Sequence, residues 1–126
     1  MTKSKIGYVD GFVLVIPKKK ANEYRTMARK GRELWMKYGA LNYKECVIDD
    51  ANPPYIVFTF PKMVKVKPGE TVWFSYIEFR SKKHRDRVNA LVMKDPTMKS
   101  DPDHEKKMPF DMKRMAYGGF RVVVSS

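Results

Sequence analysis

A chain of 126 residues with 43% apolar side chains is long enough to bury about two-thirds of its unfolded surface in one core. That excludes collagenous, low-complexity and intrinsically disordered polypeptides. The single cysteine excludes an internal disulfide framework and points to a reducing, cytoplasmic setting. The net charge is +12, and the excess is spread over residues 1–100 rather than gathered in a tail. Such a spread fits an anionic ligand, weak non-specific phosphate contacts with nucleic acid, or simply the habit of a basic proteome. No apolar run approaches the ~20 residues of a membrane span, so no membrane association is expected. The run at residues 12–16 is too short for a signal-peptide core.

Residues 8–16 (YVDGFVLVI) are rich in β-branched and aromatic side chains and predict a strand. Asp10-Gly11 near its start reads as a bulge or a close backbone approach, because no strand precedes it to make a hairpin. Pro17 suits the first turn of a helix. Ala21, Tyr24, Met27, Ala28, Gly31 and Leu34 then recur at helical spacing, and Gly39 is a fitting residue just past the helix end. Residues 41–49 alternate, with Leu41, Tyr43, Glu45 and Val47 on one face and Asn42, Lys44, Cys46 and Ile48 on the other. After the break at residues 49–54, YIVFTF (55–60) reads as another strand, stopped by Pro61.

Residues 63–67 and 71–80 flank Lys67-Pro68-Gly69-Glu70, whose Pro-Gly fits the centre of a type II turn. Ser81 is placed to cap a helix carrying His84, Val88, Leu91 and Val92, which Asp95-Pro96 closes. Residues 96–113 have no period and read as a long loop. Residues 115–124 predict a last strand interrupted by Gly118-Gly119. The order is that of an α+β, ferredoxin-like split βαβ domain over residues 1–126, with two helices on one face of an antiparallel sheet. The other face needs a cover, and a second copy of the chain is the simplest one. Trp73, Phe74, Tyr76 and Phe79 are the aromatics that the long strand would offer it.

Several segments resemble the YbaA-like family, a bacterial family of small proteins of unknown function. They are YVDGFVLVIPKKK at 8–20, ECVIDD at 45–50, KPGETVWFSYIEFRSKKHRDRVNALVMKDP at 67–96 and MPFDMKRMAYGGF at 108–120. The resemblance runs over nearly the whole chain. It implies a ferredoxin-like protomer whose sheet packs on a partner's sheet, forming a dimeric α/β barrel. It brings no activity and no catalytic residues with it.

The residues themselves supply the site candidates. If the chain is a catalyst, its candidate groups are Cys46, His84, Asp49 and Asp111. A thiolate needs a nearby cation and a base, which Lys44 and His84 would supply; the plain alternative is a small buried hydrophobe. His84 competes with the reading of a satisfied core histidine. Paired carboxylates could share a proton, whereas Asp49 also suits a loop cap and Asp50 a turn residue. Candidates for ligand binding are Arg85, in a basic cluster with Lys82, Lys83 and Arg87 at a helix start, and Arg114, Tyr117, Gly118 and Gly119 around the last strand. Asp103-His104-Glu105 has no second cluster to complete a metal site, and neither a metal nor a cofactor is expected. The last strand lacks the basic-Gly pair of the RNA-recognition signature. The favoured function is a homodimeric small-molecule binder, with a pocket between sheet and helices or in the dimer barrel. The alternatives are non-specific nucleic-acid binding through phosphates and a non-catalytic protein-interaction module.

Overall fold

The structure is a computed structural model that describes residues 5–99 and 108–126. Its elements run β1 (Tyr8–Pro17), α1 (Ala21–Lys37), β2 (Asn42–Val47), α2 (Phe60–Met63), β3 (Glu70–Phe79), α3 (Lys82–Lys94), α4 (Pro96–Lys99) and β4 (Ala116–Arg121). The four strands form one antiparallel sheet in the order β2-β3-β1-β4. The centre is the ten-residue pairing of β1 with β3, from Tyr8↔Phe79 to Pro17↔Glu70. That register is unbroken at Asp10 and Gly11, so no bulge forms there. Gly11 instead faces Gly118 across the sheet, with the Phe120 ring over both.

Pro17 is the last residue of β1, with ψ 131°, rather than the first of a helix. A 3₁₀ turn at Lys18–Lys20 leads into α1. α1 ends as the sequence predicts. Gly39 takes φ +111°, and the N–H groups of Gly39 and Ala40 donate to Met36 O (3.3 Å) and Trp35 O (3.0 Å), the paired bonds of a Schellman cap. Ser81 caps α3, its Oγ accepting from the His84 N–H at 3.1 Å. The turn before β3 also forms, with Gly69 at φ +84° and Glu70 N–H bonded to Lys67 O at 3.0 Å.

Two predicted strands do not exist. Residues 55–59 are irregular, and Phe60 already opens α2. Pro53-Pro54 and a left-handed Tyr55 (φ 73°) turn the chain away from the sheet before YIVF can pair. Residues 64–67 are turn, because the Thr59 side chain caps α2 through the Lys62 N–H and Pro61 sits in its first turn.

α1 and α3 pack on one face of the sheet. Leu14, Ile16, Tyr24, Ala28, Trp73 and Phe110 form one cluster there, and Ala40, Ile77, Phe79, Val88 and Val92 a second. The period of two sends Trp73 and Phe79 to this helix face, so they are core residues and not part of a bare sheet surface. Phe74, Tyr76 and Phe120 point the other way, and the Phe60 ring of α2 lies 6.3 Å from that of Phe74.

The two helix ends are tied together by Asp95. Its buried carboxylate accepts from the Thr97 hydroxyl (2.6 Å) and N–H (2.9 Å), the Tyr38 hydroxyl (2.6 Å) and the Lys37 ammonium (3.3 Å). These bonds, the Thr97 hydroxyl's above all, hold the carboxyl well below the usual carboxylate range. A depressed folded-state value gives stability that is present above the unfolded value of about 4 and is lost as pH falls. Asp95→Asn should therefore lower the urea midpoint at pH 7, with the gap to wild type shrinking on acidification below about pH 4. A gap of constant size across that range would count against this account.

Candidate functional site

Between the two core clusters runs a polar seam. β2 places Glu45 directly opposite Ser75 of β3, on the face beneath α1. The Tyr24 hydroxyl donates to one carboxylate oxygen of Glu45 at 2.7 Å, and the Tyr43 hydroxyl to the other at 2.7 Å. Burial pushes the Glu45 carboxyl above its ordinary value, and the tyrosine and serine hydroxyls offset that only in part. Both phenols are in turn held protonated, by burial first and then by the carboxylate beside them. Among the described residues no cation lies within ion-pair distance of Glu45.

The local fold explains this arrangement. Gly31 sits in the middle of α1, where glycine costs about 1 kcal/mol relative to alanine. A Cβ at Gly31 would meet the Tyr43 hydroxyl at 2.9 Å, so its absence lets Tyr43 pass under the helix to Glu45. Beside the seam an open cleft of about 360 Å³ lies between α1 and β2. Tyr43, Glu45, Trp73 and Ala28 line its inner part, and Arg25, Arg29, Arg32 and Lys44 its rim. Trp73 is only 4% exposed, and its indole N–H has no acceptor among the described residues. A buried donor left unmade costs about 1–3 kcal/mol, so this one stands out.

A second carboxylate, this one buried, has a different character. Asp10, 2% exposed, accepts from Arg85 Nη1 at 2.8 Å and from the Tyr117 hydroxyl at 2.9 Å. Arg85 also bonds the Tyr117 hydroxyl at 2.6 Å and Asp86 at 2.8 Å, and stacks over the Tyr8 ring at 4.9 Å. Arg85 and Tyr117 are thus brought together, as their candidacy requires, but their polar atoms serve Asp10 and join α3 to β4. Gly119 makes room for the Tyr8 ring, and Gly118 for the Phe120 ring. Arg114 forks onto Glu70, at 2.6 and 3.0 Å, and reaches the Lys65 carbonyl at 3.1 Å. It pins the approach to β4 against the turn before β3.

The four catalytic candidates do not converge. Cys46 lies exposed on the open face of the sheet, while His84 is buried under α3 on the other. The exposure also removes the reading of Cys46 as a buried hydrophobe. His84 Nδ1 accepts from the Arg80 N–H at 3.0 Å, and its ring meets Phe79 edge-on at 5.8 Å. Burial, with Arg80 and Arg87 nearby, keeps its pKa below the ordinary value, so it is a satisfied neutral histidine. Asp49 follows β2 and Asp111 precedes β4, the strands at opposite edges of the sheet. Asp111 caps a 3₁₀ turn through the Lys113 N–H at 3.0 Å. The basic cluster splits, because Arg85 turns inward to Asp10 while Lys83 and Arg87 join Arg80 in a cleft at the start of α3. His104 and its acidic neighbours lie outside the described residues. Among the described residues no three His, Cys, Asp or Glu side chains are grouped to hold a metal ion, and no helix is long and apolar enough to cross a membrane.

Glu45 and Asp10 are the groups that the site candidates missed. Glu45 did carry a signal: it is the one carboxylate in the alternating set Leu41, Tyr43, Glu45, Val47, and a charge on an otherwise apolar strand face needs partners. Gly31 carried another, as a glycine within a helical period.

Comparison with known proteins agrees with the resemblance read from the sequence. The family described as "Protein of unknown function (DUF1428)" matches residues 7–112. Proteins named "Uncharacterized protein YbaA" from Escherichia coli K12, Escherichia coli O157:H7 and Shigella flexneri are each 44% identical over 117 residues, covering 93% of this chain and 97% of theirs. The chain therefore belongs to the YbaA-like DUF1428 family, whose function is unknown.

Proposed function

We propose that this protein is a small-molecule-binding homodimer with the ferredoxin-like, dimeric α/β-barrel architecture, its ligand held in the cleft between α1 and β2. The observation that carries this reading is the Glu45 seam. A half-buried carboxylate, bonded by two tyrosines and raised in pKa, opens beside an unpartnered indole N–H in a cleft large enough for a metabolite. A carboxyl shifted toward neutrality is also what proton transfer to or from a ligand requires.

The element order and the strand order β2-β3-β1-β4 support the ferredoxin-like assignment. The homodimer rests on the open sheet face. Phe74 is 41% and Phe120 60% exposed there, while Tyr55, Ile56, Val57 and Phe58 project from the neighbouring segment, Tyr55 at 99%. A second copy presents the same apolar set and buries it symmetrically.

Two outcomes test this. The purified protein should scatter light as a species of twice 14.8 kDa at micromolar concentration, burying more than about 1,200 Å² in total. Phe74→Asp should give a folded monomer, and a monomeric wild type would sink the dimer reading.

The second outcome concerns Glu45. Its raised value means that the folded state holds this proton more tightly than the unfolded chain. That contribution is full below about pH 4 and is lost as pH rises through the folded value. Glu45→Gln should thus gain on wild type in urea midpoint as pH climbs from about 4 toward neutrality. Parallel pH curves for the two proteins would show that the carboxyl is not perturbed.

A further inference from the structure

We infer that the cleft between α1 and β2 selects a small organic anion, held by Arg25, Arg29 and Arg32 with the Trp73 indole N–H as a further donor. The inference rests on the small-molecule reading of that cleft and adds the ligand's chemical class.

The three arginines stand at positions i, i+4 and i+7 of α1, which brings them onto one side of the helix at the cleft rim. All three are exposed, and among the described residues none is within 4.0 Å of a carboxylate. The other arginine candidates, Arg85 and Arg114, are both tied to acidic partners. The Lys44 ammonium bonds Asn42 on the other face of β2, so the three arginines are the cations set against the single carboxylate of Glu45.

Both carboxylate oxygens of Glu45 already accept from phenols, Tyr24 on one and Tyr43 on the other. The cleft therefore offers an anion unpaired guanidinium groups without an opposing free carboxylate. Guanidinium forks match carboxylate and phosphate oxygens in pairs. Arg25 also lies over the Trp73 ring at 6.0 Å from its centroid, which links the rim to the aromatic wall. Trp73, buried behind the rim, holds a donor in need of an acceptor. A volume of about 360 Å³ suits a ligand near the small end of the usual range.

The test uses the full chain carrying Trp35→Phe, so that Trp73 is the only tryptophan, with 4-hydroxybenzoate, its neutral counterpart 4-hydroxybenzyl alcohol, and inorganic phosphate as probes. Titration of 4-hydroxybenzoate should quench Trp73 emission saturably, at least tenfold more tightly than the alcohol does. Added salt should weaken it, and phosphate should compete. Arg29→Gln should weaken binding about tenfold, and Arg25→Gln and Arg32→Gln severalfold. Arg87→Gln, at the start of α3, should leave it unchanged. Circular dichroism of the surface variants establishes that they fold. Equal binding of the neutral alcohol, indifferent to the arginines, would overturn the anion class while leaving the cleft as a ligand site. If neither probe changes Trp73 emission at millimolar concentration in the folded protein, the cleft reading falls as well.

Discussion

A four-stranded sheet has two faces, and the two long helices of this chain are placed to cover one of them. β3 feels this most strongly, because it is a central strand with apolar side chains on both sides. Trp73, Ile77 and Phe79 go under α1 and α3, while Val72, Phe74 and Tyr76 go to the other side. The helix face is secured by bonds between the helices themselves. The Trp35 indole donates to Asn89 at 3.0 Å, and Asp95 gathers Lys37 and Tyr38 at the end of α1. The open face has α2 against part of it and exposed aromatics beyond.

The same face-by-face division separates two helix-facing carboxylates, one buried and one half-buried, that look alike in the sequence. Asp10 and Glu45 both sit on helix-facing positions of their strands. Asp10 has a guanidinium at 2.8 Å, and that guanidinium has further partners, so the charge is neutralised in place. Removing one member of such a set would strand a buried charge, which makes it a structural tie between α3 and the sheet. Glu45 has phenols instead of a cation. Hydroxyls lower the cost of its charge without cancelling it, and its pKa rises accordingly. One carboxylate is tied to a guanidinium, the other to hydroxyls alone.

Most of the architecture was legible in the sequence because periodicity reports on single elements. The helical stripe of α1, its glycine stop, the Ser81 cap and the alternation of β2 each needed only local information. YIVFTF misled for the opposite reason. Its β propensity is real, but strand formation needs a neighbour, and Pro53-Pro54 with a left-handed Tyr55 takes the segment away from one. The site was far less legible. Cys46 and His84 read as neighbours, yet Cys46 points to the open face of β2 while His84 sits in the first turn of α3 on the other face. Arg85 and Tyr117 do meet, directly and around a third residue, Asp10, that read as part of a bulge. Which polar groups share a space depends on strand order and register, and these are non-local.

The helix α1 shows how core and rim are set by one period. Its inward positions against the seam are Tyr24, Ala28 and Gly31: the first donates to Glu45, the second is buried in the core, and the third gives way to Tyr43. Arg25, Arg29 and Arg32 each follow one of these by a single residue. One residue is a rotation of about 100° at 3.6 residues per turn, enough to carry a side chain from beneath the helix to its flank. The three guanidinium groups are therefore positioned on the cleft by the same spacing that buries their neighbours. A shift of any arginine by one position would either bury its charge against the sheet or turn it toward bulk solvent. Part of the +12 charge is in this way fixed to a place by the packing of the core. The basic rim and the half-buried carboxylate seam are two faces of a single helix register.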